Sequence, residues 1–263
     1  MYDFSYVKPA SLADAVKALG AEDAKALAGG QTLIPVLKQR LNKPSVVVDL
    51  AKLGLVGITV TGETVTIGAM TTHAAVANSA EVKRAIPALA ALAGLIGDSQ
   101  VRNRGTIGGS MANNDPSACY PSAVLALGAT ITTNKRSIAA DDYFQGMFTT
   151  ALQPGELITS VSFPVPAKAA YVKFRNPASR YAMVGVFVAT GPKGLRVAVT
   201  GAGQGGVFRH TAAENALAGG FSAAALSGVT MAADNMNSDI HASAVYRAHL
   251  VGVMTKRAVV AAG

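Results

Sequence analysis

Two glycine-rich segments constrain this chain more than any other feature. The first reads Leu27-Ala28-Gly29-Gly30-Gln31-Thr32-Leu33-Ile34. It joins an apolar, strand-like run at residues 24–28 to a helix-like run at residues 32–41. Paired glycines there let the backbone approach a ligand closely, and free N–H groups at the helix start suit an anion. An ordinary strand–helix turn gives the same pattern. A second strand follows at residues 45–50, so the region predicts a small βαβ-like unit. The second segment is Val101-Arg102-Asn103-Arg104-Gly105-Thr106-Ile107-Gly108-Gly109-Ser110-Met111-Ala112-Asn113-Asn114-Asp115-Pro116. Two arginines, three glycines, three asparagines and two hydroxyls in sixteen residues are costly as mere core. Such density suits a ligand with phosphates, hydroxyls and a polar ring edge, although a long solvated loop has a similar composition.

Periodicity organises the rest. Ser11 caps a helix whose apolar face is Leu12, Ala15, Val16 and Leu19, with Gly20 closing it. Ile58 and Val60 alternate opposite Val65 and Ile67 around Gly62-Glu63, which predicts a hairpin. Helical patterns cover residues 72–78, 86–96 and 117–127, and a hairpin pattern covers residues 129–133 and 136–139. Prolines at 164 and 166 interrupt a strand-like run and mark a seam. Strand patterns follow at residues 170–175, 182–190 and 194–200. Helices follow to the end, the last a long amphipathic one at residues 242–261. The expected organisation is two lobes, a larger α+β one and a smaller strand–helix one.

Composition narrows the function. Half the residues are hydrophobic and 14 % are charged, which excludes a disordered chain. Cys119 is the only cysteine, so an internal disulfide and a cysteine-ligated cluster built from this chain alone are excluded. His73, His210, His241 and His249 lack ligand spacing, so no metal site is expected. The formal charge of +8 is scattered, with only short pairs such as Lys135-Arg136 and Lys256-Arg257. A basic surface docking a partner therefore suits it better than nucleic-acid binding. No apolar run is long enough for a membrane span, and the first residues lack the pattern of a signal peptide, so a cytoplasmic location is expected. Gly201-Ala202-Gly203-Gln204-Gly205-Gly206 matches a dinucleotide fingerprint but lacks a following parallel strand with a terminal acid, which makes NAD(P) binding the weaker alternative. No acid–base set for a substrate is evident.

The pair Ala28-Gly29-Gly30-Gln31-Thr32 and Gln100-Val101-Arg102-Asn103-Arg104-Gly105-Thr106-Ile107-Gly108-Gly109, in this order, resembles the FAD-binding medium subunit of the xanthine dehydrogenase and carbon monoxide dehydrogenase family, the molybdenum hydroxylases. The resemblance continues through Asp115-Pro116, Gly155-Glu156-Leu157-Ile158, Tyr171-Val172-Lys173-Phe174 and the Tyr246-Arg247 region. It implies an α+β fold of the vanillyl-alcohol-oxidase (PCMH) type. Residues 1–166 would form the FAD-binding domain, as two α/β subdomains meeting near residue 55. Residues 167–263 would form a smaller lobe of antiparallel sheet and helices covering the flavin.

The resemblance also implies the site. Leu27, Ala28, Gly29, Gly30, Gln31, Thr32, Leu33 and Ile34 would wrap the diphosphate. Thr106, Ile107, Gly108, Gly109 and Ser110, with Asn113 and Asp115, would contact the cofactor along its length. Ile96, Ile158 and Lys173 would approach the flavin or adenine, and Tyr181 would lie beside the isoalloxazine ring. Cys119 and Arg180 depart from the family pattern, standing where relatives often carry acidic residues. The implied partners are a small subunit with two 2Fe-2S clusters and a large subunit with the molybdenum cofactor, in a heterohexamer arranged as a dimer of heterotrimers. The implied role is electron relay from those clusters through FAD to an external acceptor, with no catalytic residue for the substrate in this chain; a stand-alone flavin oxidoreductase is the alternative reading.

Overall fold

In the computed structural model, which describes residues 1–263, the glycine-bounded βαβ unit forms as its pattern predicts. Strands Lys25–Leu27 and Val46–Asp49 pair in parallel, connected through helix Leu33–Lys38. A further strand, Ser5–Val7, pairs in parallel along the other edge of Val46–Asp49. It was not legible as a strand because all three of its residues are exposed and show no alternation. Val46–Asp49 is thus the central strand, with Val47, Val48 and Asp49 buried. Helix Leu12–Ala18 covers this sheet, its start held by the Ser11 hydroxyl accepting from the Asp14 N–H at 3.1 Å. Ala15 packs with Val48, Leu50 and Leu157, which ties the unit to the next layer.

That layer is a five-stranded antiparallel sheet. Its spatial order is Ile58–Thr61, Thr64–Gly68, Ile158–Pro164, Thr130–Thr133 and Ser137–Ala139. Ile58 faces Ile67 and Val60 faces Val65, the register that the alternation predicts. The last strand in sequence is the central one in space, and it ends at Pro164, which has no N–H to donate. Helices Pro87–Gly94, Ile107–Asn113 and Tyr120–Leu127 share its core. Residues 98–116 are not one long loop. They fold into two short helices, Ser99–Arg104 and Ile107–Asn113, each started by a side-chain cap. Asp98 Oδ1 accepts from the Val101 N–H at 2.8 Å, and Thr106 Oγ1 accepts from the Gly109 N–H at 3.1 Å. Sequence periodicity misses them because each spans under two turns and the second packs partly through glycine.

The last sheet is antiparallel, in the order Lys168–Arg175, Ala182–Gly191, Gly194–Thr200 and Phe208–Arg209. Ala182–Gly191 begins with eight consecutive buried residues because both of its faces are covered. Val184, Val186 and Val188 point into the core shared with helix Ala244–Ala262. Phe187 and Ala189 point the other way, into the core of the five-stranded layer. The strand therefore belongs to two cores at once. The fingerprint-like Gly201–Gly206 stretch lies in the turn between two antiparallel neighbours, Gly194–Thr200 and Phe208–Arg209. Antiparallel neighbours supply no βαβ crossover, so the NAD(P) alternative loses its structural basis there. No helix is long and apolar enough to cross a membrane.

Candidate cofactor site

The fold brings the two glycine segments into direct contact. A β-carbon on Gly29 would stand 2.0 Å from the Arg104 carbonyl oxygen and 2.8 Å from Gly105 Cα. Gly109 faces Ala28 at 3.4 Å by the same measure. Gly29 is thus the point where one segment's backbone lies on the other's.

The segments differ in what they leave free. The N–H groups of Gly29, Gly30, Gln31 and Thr32 donate to no backbone or side-chain acceptor, and Gly30 takes a left-handed φ of +76°. Consecutive unpaired N–H groups around such a turn form an anion-binding concavity. In the second segment the corresponding groups are spent. The Ile107 N–H bonds to Thr71 O at 3.1 Å, the Gly108 N–H to Ala69 O at 2.8 Å, and the Gly109 N–H to the Thr106 cap. Ile107 and Gly108 are fully inside, Ile107 in the core and Gly108 so close that a β-carbon would sit 2.7 Å from Ala69 O. The half-buried side chains of Ser110 and Asn113, one turn apart, make no hydrogen bond within the chain and remain open to a ligand. Asp115 turns inward to cap the Ser117 N–H at 2.8 Å.

A polar cluster extends from this junction. Arg102 donates through one nitrogen to Ile96 O and Gly97 O, both at 3.1 Å. Lys173, reaching across from strand Lys168–Arg175, donates to Leu95 O at 2.8 Å and approaches Cys119 Sγ at 3.4 Å. Ile96 and Lys173 therefore share one corner with the second segment. Ile158 lies elsewhere, buried opposite Thr133 in the five-stranded sheet. Tyr181 follows the turn after Arg175, its ring edge-on to His241 at 6.2 Å between centroids. Arg180 is exposed, with φ +64°.

Sequence reasoning gave no site role to His73, Tyr120, Asn114 or Tyr171. His73 lies against Gly105, whose carbonyl accepts its backbone N–H at 2.9 Å, and its ring meets Tyr120 at 5.4 Å. Asn114 adopts a left-handed φ of +43° and donates to Gly146 O and Thr149 O, both at 2.8 Å, holding residues 144–150 beside the segment. Buried and without partners are His73 Nδ1, Asn114 Oδ1 and the hydroxyls of Tyr120 and Tyr171. Each such group costs about 1–3 kcal/mol unless something satisfies it. Asn114 follows the Asn113 of the motif, and that doublet was its only sequence signal.

Burial, followed by the nearby Arg102 charge, pushes the His73 imidazole down to about 4 from 6.5. The folded chain thus holds it neutral, whereas the unfolded chain protonates it below 6.5. Its contribution is complete above pH 6.5 and is lost as pH falls towards about 4. His73→Gln should remove up to about 3 kcal/mol of that pH dependence, read from urea unfolding at pH 7 and pH 4. Equal slopes in the two proteins would contradict a neutral, buried His73.

The profile of the family described as the FAD binding domain in molybdopterin dehydrogenase matches residues 2–166. The chain belongs to this family. As a member it is the FAD-binding medium subunit of a molybdenum hydroxylase, an oxidoreductase subunit of PCMH-type α+β fold. It is 38 % identical to the nicotine 6-hydroxylase medium subunit of Paenarthrobacter nicotinovorans, over 98 % of this chain and 96 % of that one. It is 37 % identical to the carbon monoxide dehydrogenase medium chain of Afipia carboxidovorans, over 97 % and 95 %. Among solved structures, reconstituted CO dehydrogenase from Oligotropha carboxidovorans superposes with a TM-score of 0.92 at 37 % identity, over 99 % of this chain and 97 % of that chain. Quinoline 2-oxidoreductase from Pseudomonas putida 86 superposes with a TM-score of 0.84 at 30 % identity, over 99 % and 96 %. The residues present fit FAD. An open run of N–H groups suits a diphosphate, and the unpartnered polar groups around the second segment suit a ligand rich in donors and acceptors.

Proposed function

We propose that this medium subunit relays electrons from the 2Fe-2S clusters of a small partner subunit, through FAD, to an external acceptor, while a large molybdenum subunit oxidises the substrate. The observation that carries this reading is the Gly29–Arg104 contact, which joins an N–H cradle to a polar cluster. The relatives' names add support. Similar identities, 38 %, 37 % and 38 %, accompany a nicotine hydroxylase, a carbon monoxide dehydrogenase and a glyceraldehyde dehydrogenase. What such chains share is then the flavin task, and substrate choice belongs to another subunit.

FAD, when bound, supplies redox chemistry that accepts electrons singly or in pairs. The chain's own residues position it. Residues 27–34 hold the diphosphate, with Gly29, Gly30, Gln31 and Thr32 donating. Ser110 and Asn113 offer side chains along the cofactor, Thr106 fixes the helix that carries them, and Ile96, Lys173 and Tyr181 border the flavin. Within this reading residues 1–166, divided near residue 55, form the FAD-binding domain, and residues 167–263 cover the ring. The assembly is a cytoplasmic dimer of heterotrimers.

The test compares the FAD-loaded full chain with the assembled complex under anaerobic conditions. Carbon monoxide, an aldehyde and N-heterocycles are offered in turn, and flavin absorbance is followed. The isolated chain should stay oxidised with every substrate, and the complex should bleach with its own. Rapid bleaching of the isolated chain by an organic substrate would sink the relay model, and failure to retain FAD would sink the cofactor site.

A further inference from the structure

We propose that the corner at residues 95–97 is a cationic site, left without a counter-ion by Cys119, that stabilises reduced flavin and so raises the reduction potential of the bound FAD. This rests on the cofactor reading above.

The charges are unusual for this chain's interior. Arg196, Arg209 and Arg247 each pair with a carboxylate, from Asp141, Glu214 and Asp239 respectively. Lys173 and Arg102 do not. Half-buried, they donate to three successive carbonyls, Leu95 O for Lys173 and Ile96 O and Gly97 O for Arg102, with Cys119 Sγ also within reach of Lys173. No carboxylate oxygen lies within 4.0 Å of either. Removing two cations from water without an anion is unfavourable, and the geometry leaves that debt for a ligand to settle.

Cys119 keeps the site positive. Its buried sulfur touches Lys173 Nζ, at the place where an acidic side chain would neutralise the ammonium. The buried Tyr171 hydroxyl faces the same sulfur from within the core, and burial followed by the Cys119 sulfur pushes its pKa up. A flavin gains negative charge on reduction, so a fixed, poorly solvated cation beside it favours the reduced form. Arg180, adjacent in sequence to Tyr181, stands in water at a turn, where solvent and salt screen it. The interior pair should dominate.

The experiment measures the flavin midpoint potential in the assembled complex and in the FAD-loaded full chain, by anaerobic titration against reference dyes. The proteins are the unmodified chain, Cys119→Asp, Cys119→Ser, Lys173→Met and Arg180→Asp. Cys119→Asp and Lys173→Met should each weaken the preference for reduced over oxidised FAD at least tenfold, a fall of about 30 mV for a two-electron couple. Cys119→Ser and Arg180→Asp should change it less than either. Combining Cys119→Asp with Lys173→Met should give less than the sum, since each removes the same charge. Lys173→Met keeps the stem packing, so the proposal stays testable where the buried aspartate prevents folding. Bound FAD with unchanged potential in Lys173→Met overturns the charge assignment and leaves the cofactor site standing. An equal or larger fall in Arg180→Asp moves the effect to the surface and also overturns it. An unmodified chain that retains no FAD overturns both readings.

Discussion

Replacing Gly29 with alanine is expected to weaken FAD binding about 5- to 150-fold, the effect of a cost of about 1–3 kcal/mol at an overpacked junction. The added methyl would stand 2.0 Å from the Arg104 carbonyl oxygen, a backbone atom that cannot rotate away. The two segments must then part, which moves the N–H run away from the second segment. The glycine is required by protein–protein contact inside the chain, and its effect on FAD is transmitted through that junction. A larger residue such as valine adds a folding defect, so alanine is the cleaner probe. Gly252→Ala is the matched control, because a β-carbon there meets nothing within 4 Å and lies in helix Ala244–Ala262. It should retain FAD fully and gain about 0.5–1 kcal/mol in stability. Equilibrium dialysis with FAD, beside circular dichroism to establish folding, decides the matter. A folded Gly29→Ala chain with unweakened FAD binding would remove the junction from the site.

How much of this was legible in the sequence depended on whether a feature is local. The Ile58–Thr61 and Thr64–Gly68 hairpin could be read residue by residue, because side-chain alternation and a glycine turn sit within one short stretch. The βαβ unit was readable for the same reason, up to its exposed first strand. The second glycine segment was recognisable as unusual, but not its internal bonding. Its helix-start N–H groups are consumed by Ala69 O and Thr71 O, distant carbonyls that no local pattern points to. Lys173 was placed near the cofactor only by resemblance. That it shares a corner with Arg102, and meets a sulfur where a carboxylate would neutralise it, emerges only from the packing of strand Lys168–Arg175 against helix Pro87–Gly94. Where a feature joins residues far apart in sequence, composition registers the cost of the polar groups but not their partners.

Arg247→Met should lower stability by about 3 kcal/mol, a fall in Tm of roughly 6–12 °C. This arginine lies on the amphipathic helix Ala244–Ala262, yet it is 2 % exposed, among the largest fully buried side chains. One terminal nitrogen donates to Met183 O at 2.7 Å and Gly201 O at 3.2 Å, and the other to Asp239 Oδ2 at 2.6 Å. The fork therefore ties the start of one strand, the end of the next and the loop before its own helix. Asp239 in turn accepts from the His241 and Ala242 N–H groups at 2.9 and 3.0 Å, which fixes His241 beside the Tyr181 ring. The ion pair itself contributes little, because the Asp239 side chain is 42 % exposed. The loss comes from the two buried carbonyls, which methionine fills around but cannot bond. Lysine places one ammonium where three acceptors are spread, so Arg247→Lys should recover only part of the stability. Thermal unfolding of both variants, with Asp239→Asn as the surface comparison, separates these contributions. If Asp239→Asn were as damaging as Arg247→Met, the exposed pair would be the structural element and the buried fork would not.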